Sequence, residues 1–180
     1  MRKLILIALL AGMTVALTAG VALAATLNGT ERADRLVGTP RGDTIKGFGG
    51  GDNLYGKGGH DTIRGYEGRD TMVGGGAADA LFGGSGADTM RGGPGDDNLY
   101  GGEGNDTIGG NGGDDTTDGE GGIDTLVGGP GNDRIISGTG DDHRVFAGDG
   151  EQDIICVDPN SSGSIESADP QDDFIFNRSC

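Results

Sequence analysis

The sequence predicts an all-β chain, a right-handed parallel β-roll (β-solenoid) of about thirteen nonapeptide repeats with a C-terminal cap. Three observations carry that expectation. Aspartate recurs at every ninth residue, thirteen times without a slip, from Asp34 to Asp142. Glycine holds the first place of twelve consecutive nine-residue units, Gly29 to Gly128, and the fourth place from Gly50 to Gly140 except at Ala77. An apolar residue stands two after the aspartate from Leu36 to Ile135, Thr117 excepted. A fixed period over most of a chain indicates a solenoid, in which each unit is completed only by its neighbours.

Each place in the unit has a physical role. The last three read polar, apolar, variable, so one inward side chain is flanked by two outward ones, as on a short strand. Threonine follows the aspartate at Thr44, Thr62, Thr71, Thr89, Thr107, Thr116 and Thr125, and it favours extended backbone. Glycines tolerate positive φ and let backbone carbonyls converge, as a tight ion-binding turn requires. Six residues of turn and three of strand imply two sheets, with two units to a coil of eighteen residues. Roughly six coils at the usual strand spacing make a rod of about 30 Å.

Composition argues that such a rod needs a cation. The chain has 41 glycines in 180 residues, no Trp and 33% hydrophobic residues. One apolar side chain per unit buries too little area to offset ordering the backbone, at about 1–2 kcal/mol per residue. A formal charge of −16 with low hydrophobicity is the composition of a disordered chain. Stacked carboxylates repel one another unless cations sit between them. The candidate metal ligands are therefore Asp43, Asp52, Asp61, Asp70, Asp79, Asp88, Asp97, Asp106, Asp115, Asp124, Asp133 and Asp142. Oxygen-only donors select a hard ion, and a flexible glycine turn suits calcium better than magnesium. Multiple calcium ions are expected, and folding conditional on them.

Units such as Gly92-Gly93-Pro94-Gly95-Asp96-Asp97-Asn98-Leu99-Tyr100 fit the template G-G-x-G-x-D-x-U-x throughout. From about Gly29 to Val145 the chain resembles the hemolysin-type calcium-binding, or RTX, repeat family, whose nonapeptide has this form. The resemblance implies calcium held in the glycine turns of a β-roll. Arg32 and Arg41 replace the fourth-place glycine in the first two units, bringing charge and a Cβ into the turn. The strongest sites are therefore expected between Asp70 and Asp88, Asp88 and Asp106, Asp79 and Asp97, and Asp106 and Asp124.

The ends read differently. Arg2 and Lys3 precede an apolar run that closes on Ala22-Leu23-Ala24, a small-x-small cleavage pattern. The run is long enough to span a membrane, but Gly12, Thr14, Thr18 and Gly20 dilute it. The expected organisation is a signal peptide over 1–24, the repeat array over 25–146 and a cap over 147–180. The segment from Ala147 to Cys156 resembles the closing segment of secreted actinobacterial members of the family, where a cysteine is typically matched by another near the terminus. That resemblance, and two cysteines in an exported chain, imply a disulfide between Cys156 and Cys180.

The expected function is that of a secreted, extracellular calcium-binding protein with a structural or binding role, and not an enzyme. Calcium ions are the expected partners. A surface this acidic repels nucleic acid, and no membrane span remains once the leader is cleaved. Two alternatives compete. In an ice-binding solenoid, Thr71, Thr89, Thr107 and Thr125, eighteen apart, would form a column of hydroxyls. In the other, the chain is an accessory module of an extracellular enzyme system. Other motifs are by-products of the repeat: Gly51 to Gly58 lacks the Ser/Thr of a phosphate loop, and Arg41-Gly42-Asp43 is already explained by period. His60 and His143 occupy non-equivalent places and are expected to be exposed.

Overall fold

The computed structural model describes residues 23–140, 144–148, 152–157, 164–166 and 173–175. It begins with two short strands, β1 (Thr26–Asn28) and β2 (Arg35–Val37). Strands of six residues follow: β3 (Thr44–Gly49), β4 (Asn53–Gly58), β5 (Thr62–Glu67), β6 (Thr71–Gly76) and β7 (Ala80–Ser85). Four more have the same length: β8 (Thr89–Pro94), β9 (Asn98–Glu103), β10 (Thr107–Gly112) and β11 (Thr116–Gly121). Shorter strands complete the chain: β12 (Thr125–Gly129), β13 (Arg134–Ile136), β14 (Arg144–Gly148), β15 (Ile154–Cys156), β16 (Ser164–Glu166) and β17 (Asp173–Ile175).

Odd-numbered strands form one nine-stranded sheet and even-numbered strands one eight-stranded sheet. Each strand pairs in parallel with the strand two further on, and as far as β13 the register is eighteen residues, as in Ile45↔Ile63 and Ile63↔Leu81. The chain thus crosses to the other sheet every nine residues, and the expected parallel β-solenoid is the fold. The period itself accounts for β2–β13, and β14 follows one residue late, with Leu126↔Val145. The array is longer than the thirteen units, because β1 precedes them and β15–β17 continue both sheets. In that continuation the register lengthens to Arg134↔Ile154 and Ile154↔Asp173. The segment expected to act as a cap from residue 147 therefore supplies further strands to the same two sheets.

The core is one residue deep. Ile45, Leu54, Ile63, Met72, Leu81, Met90, Leu99, Ile108, Leu126 and Ile135 are buried in a single cluster, with Leu27 and Leu36 packed against its first coil. Outward columns also stack, because register places equivalent residues one rung apart. Phe48 lies on Tyr66 with ring centroids 5.5 Å apart, and Phe82 on Tyr100 at 5.2 Å. The Arg64 guanidinium sits 4.8 Å from the Phe82 centroid.

The division into six turn and three strand residues holds towards the two ends, at β1, β2 and β13. From β3 to β11 each strand runs six residues, since pairing resumes beyond the first-place glycine, as in Phe48↔Tyr66 and Gly49↔Glu67. A left-handed residue at the second place bends the strand there: φ is 78° at Phe48, 90° at Lys57 and 78° at Tyr66. Fourth-place glycine is needed for conformation and space together. At Gly68, φ is 126° and a Cβ would collide with the Gly50 carbonyl oxygen of the neighbouring coil.

Thr117 is fully buried among these aliphatic side chains, and its Oγ1 has no hydrogen-bond partner. An unpaired buried hydroxyl costs about 1–3 kcal/mol, while an apolar group of the same shape restores the packing. Thr117→Val is therefore expected to stabilise the protein by about 1 kcal/mol, read as a higher midpoint in denaturant. An unchanged or lowered midpoint would show that the hydroxyl is satisfied in solution.

Candidate metal-binding turns

The aspartate ends the turn and its side chain folds inward. Asp43, Asp52, Asp61, Asp70, Asp79, Asp88, Asp97, Asp106, Asp115, Asp124 and Asp133 are all at most 3% exposed. One carboxylate oxygen is held by the backbone, since the N–H of each aspartate donates to Oδ1 of the aspartate one coil on. The distances run from 2.7 Å for Asp43 to Asp61 to 2.9 Å for Asp115 to Asp133. Two ladders result, one along each edge of the rod. Asp34, Asp52, Asp70, Asp88, Asp106 and Asp124 form one, and Asp43, Asp61, Asp79, Asp97, Asp115 and Asp133 the other.

Asp153 extends the second ladder, accepting from the Asp133 N–H at 2.8 Å across twenty residues. It falls outside the nine-residue period because the last two turns before it are each one residue longer, as Leu126↔Val145 and Ile135↔Ile155 show, although an aspartate ahead of an apolar pair was visible. Asp142 lies outside the described residues. His60 is exposed, with Nδ1 2.8 Å from the Ala78 carbonyl oxygen, and His143 also lies outside the described residues.

The other oxygen identifies the chemistry. From Asp52 through Asp115, Oδ2 of every ladder aspartate is buried without a hydrogen-bond partner. It is pressed against the first-place glycine of its own unit. A Cβ at Gly47 would collide with Asp52 Oδ2 and lie 2.9 Å from the Gly65 carbonyl oxygen of the next coil. The same pair of oxygens meets the first-place glycine at Gly74 and Gly92. First-place glycine is thus required by space, not by φ, a reason different from the one sequence alone suggested. Two acceptors that share a pocket lined by glycine need a hydrogen-bond donor or a cation between them. An asparagine would have filled the Oδ1 role and placed a donor at the second position. The chain uses aspartate throughout.

This donor set fits a hard divalent cation. Among the described residues no group of three or more His, Cys, Asp or Glu side chains converges. Each turn instead offers one carboxylate oxygen with backbone carbonyls, the mixture that calcium accepts. Electrostatics agree. Burial pushes the carboxyls of Asp79, Asp88 and Asp115 up to about 7, opposed by the backbone hydrogen bond and reinforced by the charges of ladder neighbours. Asp61, Asp70, Asp97, Asp106 and Asp124 are raised to about 6, burial again the largest cause.

A family model described as the RTX calcium-binding nonapeptide repeat (4 copies) matches residues 28–63, 46–81, 55–90, 82–117 and 118–154. No curated protein matches, and no solved structure does. Among the described residues no helix is long and apolar enough to cross a membrane.

A carboxyl whose pKa is raised on folding binds protons that the unfolded chain releases. The metal-free fold is then most stable below the ordinary aspartate pKa and loses that stability as pH rises through 6 to 7. Circular dichroism in metal-stripped buffer is expected to show more β-structure near pH 4.5 than at pH 7.5. Cation affinity should weaken as pH falls through the same window, because protons and ions compete for Oδ2. Equal spectra at the two pH values would refute this.

Proposed function

The chain belongs to the RTX calcium-binding nonapeptide repeat family, and on that premise we propose that it is an extracellular protein whose β-roll folds on binding several calcium ions. The observation that carries the proposal is the row of buried, unpartnered Oδ2 atoms from Asp52 to Asp115, each facing a backbone carbonyl across a glycine. Asp52, Asp61, Asp70, Asp79, Asp88, Asp97, Asp106 and Asp115 would hold the ions together with turn carbonyls, and Asp124 and Asp133 occupy equivalent places. Calcium would supply the positive charge that the stacked carboxylates lack. The residues themselves do the rest: glycine admits the carboxylate, the aspartate N–H fixes its rotamer, and the aliphatic ladder holds the coils in register.

A structural or binding role is proposed, with no catalysis. Export is supported by the leader pattern of residues 1–24. A calcium-poor cytoplasm would keep the chain expanded and threadable, and millimolar calcium outside would stabilise it by mass action at each site. Ions shared between coils make the transition cooperative. Thr71, Thr89, Thr107 and Thr125 do face one another in register along the even-numbered sheet. That single column keeps ice binding as the second reading, and thermal hysteresis distinguishes it.

Circular dichroism is expected to report disorder in excess chelator at neutral pH and β-structure after calcium, with magnesium a poor substitute. A chain fully folded in chelator would show that the aliphatic ladder suffices alone.

The closing segment is proposed to be pinned by a disulfide between Cys156 and Cys180. Cys156 is 3% exposed and among the described residues no cysteine is free, while Cys180 lies outside them. Mass spectrometry of the exported protein should find one disulfide and no alkylatable thiol. Reduction should lower stability without abolishing the calcium response. Two alkylatable thiols in native exported protein would exclude the bridge.

A further inference from the structure

We propose that the first two turns, 29–34 and 38–43, take no cation because a threonine supplies there what an ion supplies further along; the assignment rests on the calcium reading above. Asp34 Oδ2 accepts from the Thr30 N–H at 2.6 Å and from Thr30 Oγ1 at 2.8 Å. Asp43 Oδ2 accepts from the Thr39 N–H at 2.5 Å. Its Oδ1 accepts from Thr39 Oγ1 at 3.1 Å and from the Ala25 N–H at 2.5 Å. The buried oxygens without partners begin only at Asp52.

The backbone independently marks these turns as another kind. The N–H groups of Arg32 and Arg41 each donate to the threonine hydroxyl two residues earlier, at 3.2 Å. This is the local turn that Ser and Thr side chains build in competition with regular pairing. Thr30, Thr39, Arg32 and Arg41 are absent from the residues with positive φ, whereas the second place is left-handed at Phe48, Lys57, Tyr66 and Gly75. In the later turns the second-place N–H makes no bond to Oδ2, which is left with no donor. A threonine at the second place with an arginine at the fourth therefore closes the turn by hydrogen bonds. A left-handed fourth place, glycine in most turns and Ala77 with φ 78° in the turn of Asp79, leaves it open for an ion.

The rod consequently has an ion-independent start. Coil edges at Asp34 and Asp43 are satisfied by the chain itself and offer a finished surface against which the calcium-dependent coils add. Asp43 drops out of the expected ligand set, and the ion-binding series starts at Asp52.

Counting bound calcium by elemental analysis on the full chain, with the calcium midpoint read by circular dichroism, tests this. Asp43→Asn should leave both the ion count and the midpoint unchanged, while Asp79→Asn should lose bound calcium and shift the midpoint to higher concentration. A reciprocal exchange guards against simple misfolding: Thr39→Gly with Arg41→Gly should raise the ion count, and Gly75→Thr with Ala77→Arg should lower it. Loss of calcium from Asp43→Asn equal to that from Asp79→Asn, or no gain in the Thr39→Gly, Arg41→Gly variant, would overturn the assignment. Wild-type protein that binds no calcium would overturn the calcium reading itself, a different failure.

Discussion

Everything in this rod depends on the direction in which the aspartate side chain turns. Pointed outward, a row of thirteen carboxylates would be a solvated stripe of no structural consequence. Turned inward, each aspartate from Asp43 to Asp133 places one oxygen on the backbone of the preceding coil, at about the optimum distance for a charge-assisted hydrogen bond, and fixes the spacing of the turns. From Asp52 to Asp115 the same rotation buries a second oxygen where no donor reaches it. Order and uncompensated charge come from one torsion, and so the coil geometry and the need for a cation cannot be separated.

Glycine is the complement of that choice. The carboxylate occupies the volume a Cβ would need at Gly47, Gly74 and Gly92, so the first place of those units admits no side chain. The aliphatic ladder contributes breadth but little depth, with one buried residue per nine from Ile45 to Ile135. At about 25 cal/mol per Å² of apolar surface, one such residue per unit falls well short of the conformational entropy of the turn it accompanies. The interior of this protein is therefore half hydrocarbon and half carboxylate. Thr117, the sole polar member of the aliphatic column between Ile45 and Ile135, shows how little tolerance the thin half has.

The sequence carried most of this in plain sight, because a solenoid repeats its evidence. Period, sheet alternation and the inward row were legible since each rests on spacing alone. Strand length was not: Phe48, Lys57 and Tyr66 hold left-handed backbone that their residue types disfavour, and only tertiary pairing imposes it. Strands β15–β17 escaped because longer turns broke the count, so Asp153 fell out of phase in sequence while remaining in phase in space. Thr30 and Thr39 escaped for the opposite reason. Their neighbours Arg32 and Arg41 read as damage to a repeat, whereas in space the four residues build an alternative turn.

Alternation between sheets sets a quantum for how such a chain can change length. Outward columns such as Phe82 on Tyr100, or the threonines of the even-numbered sheet, join residues eighteen apart. Duplicating or deleting a whole coil would leave every column, and both edges, continuous. A change of nine residues between Phe82 and Tyr100 would keep each unit intact yet transpose all later strands to the opposite face, parting the two rings. Lineages of this rod should therefore grow and shrink in double units wherever the decoration of a face matters, and in single units only where both faces are bare.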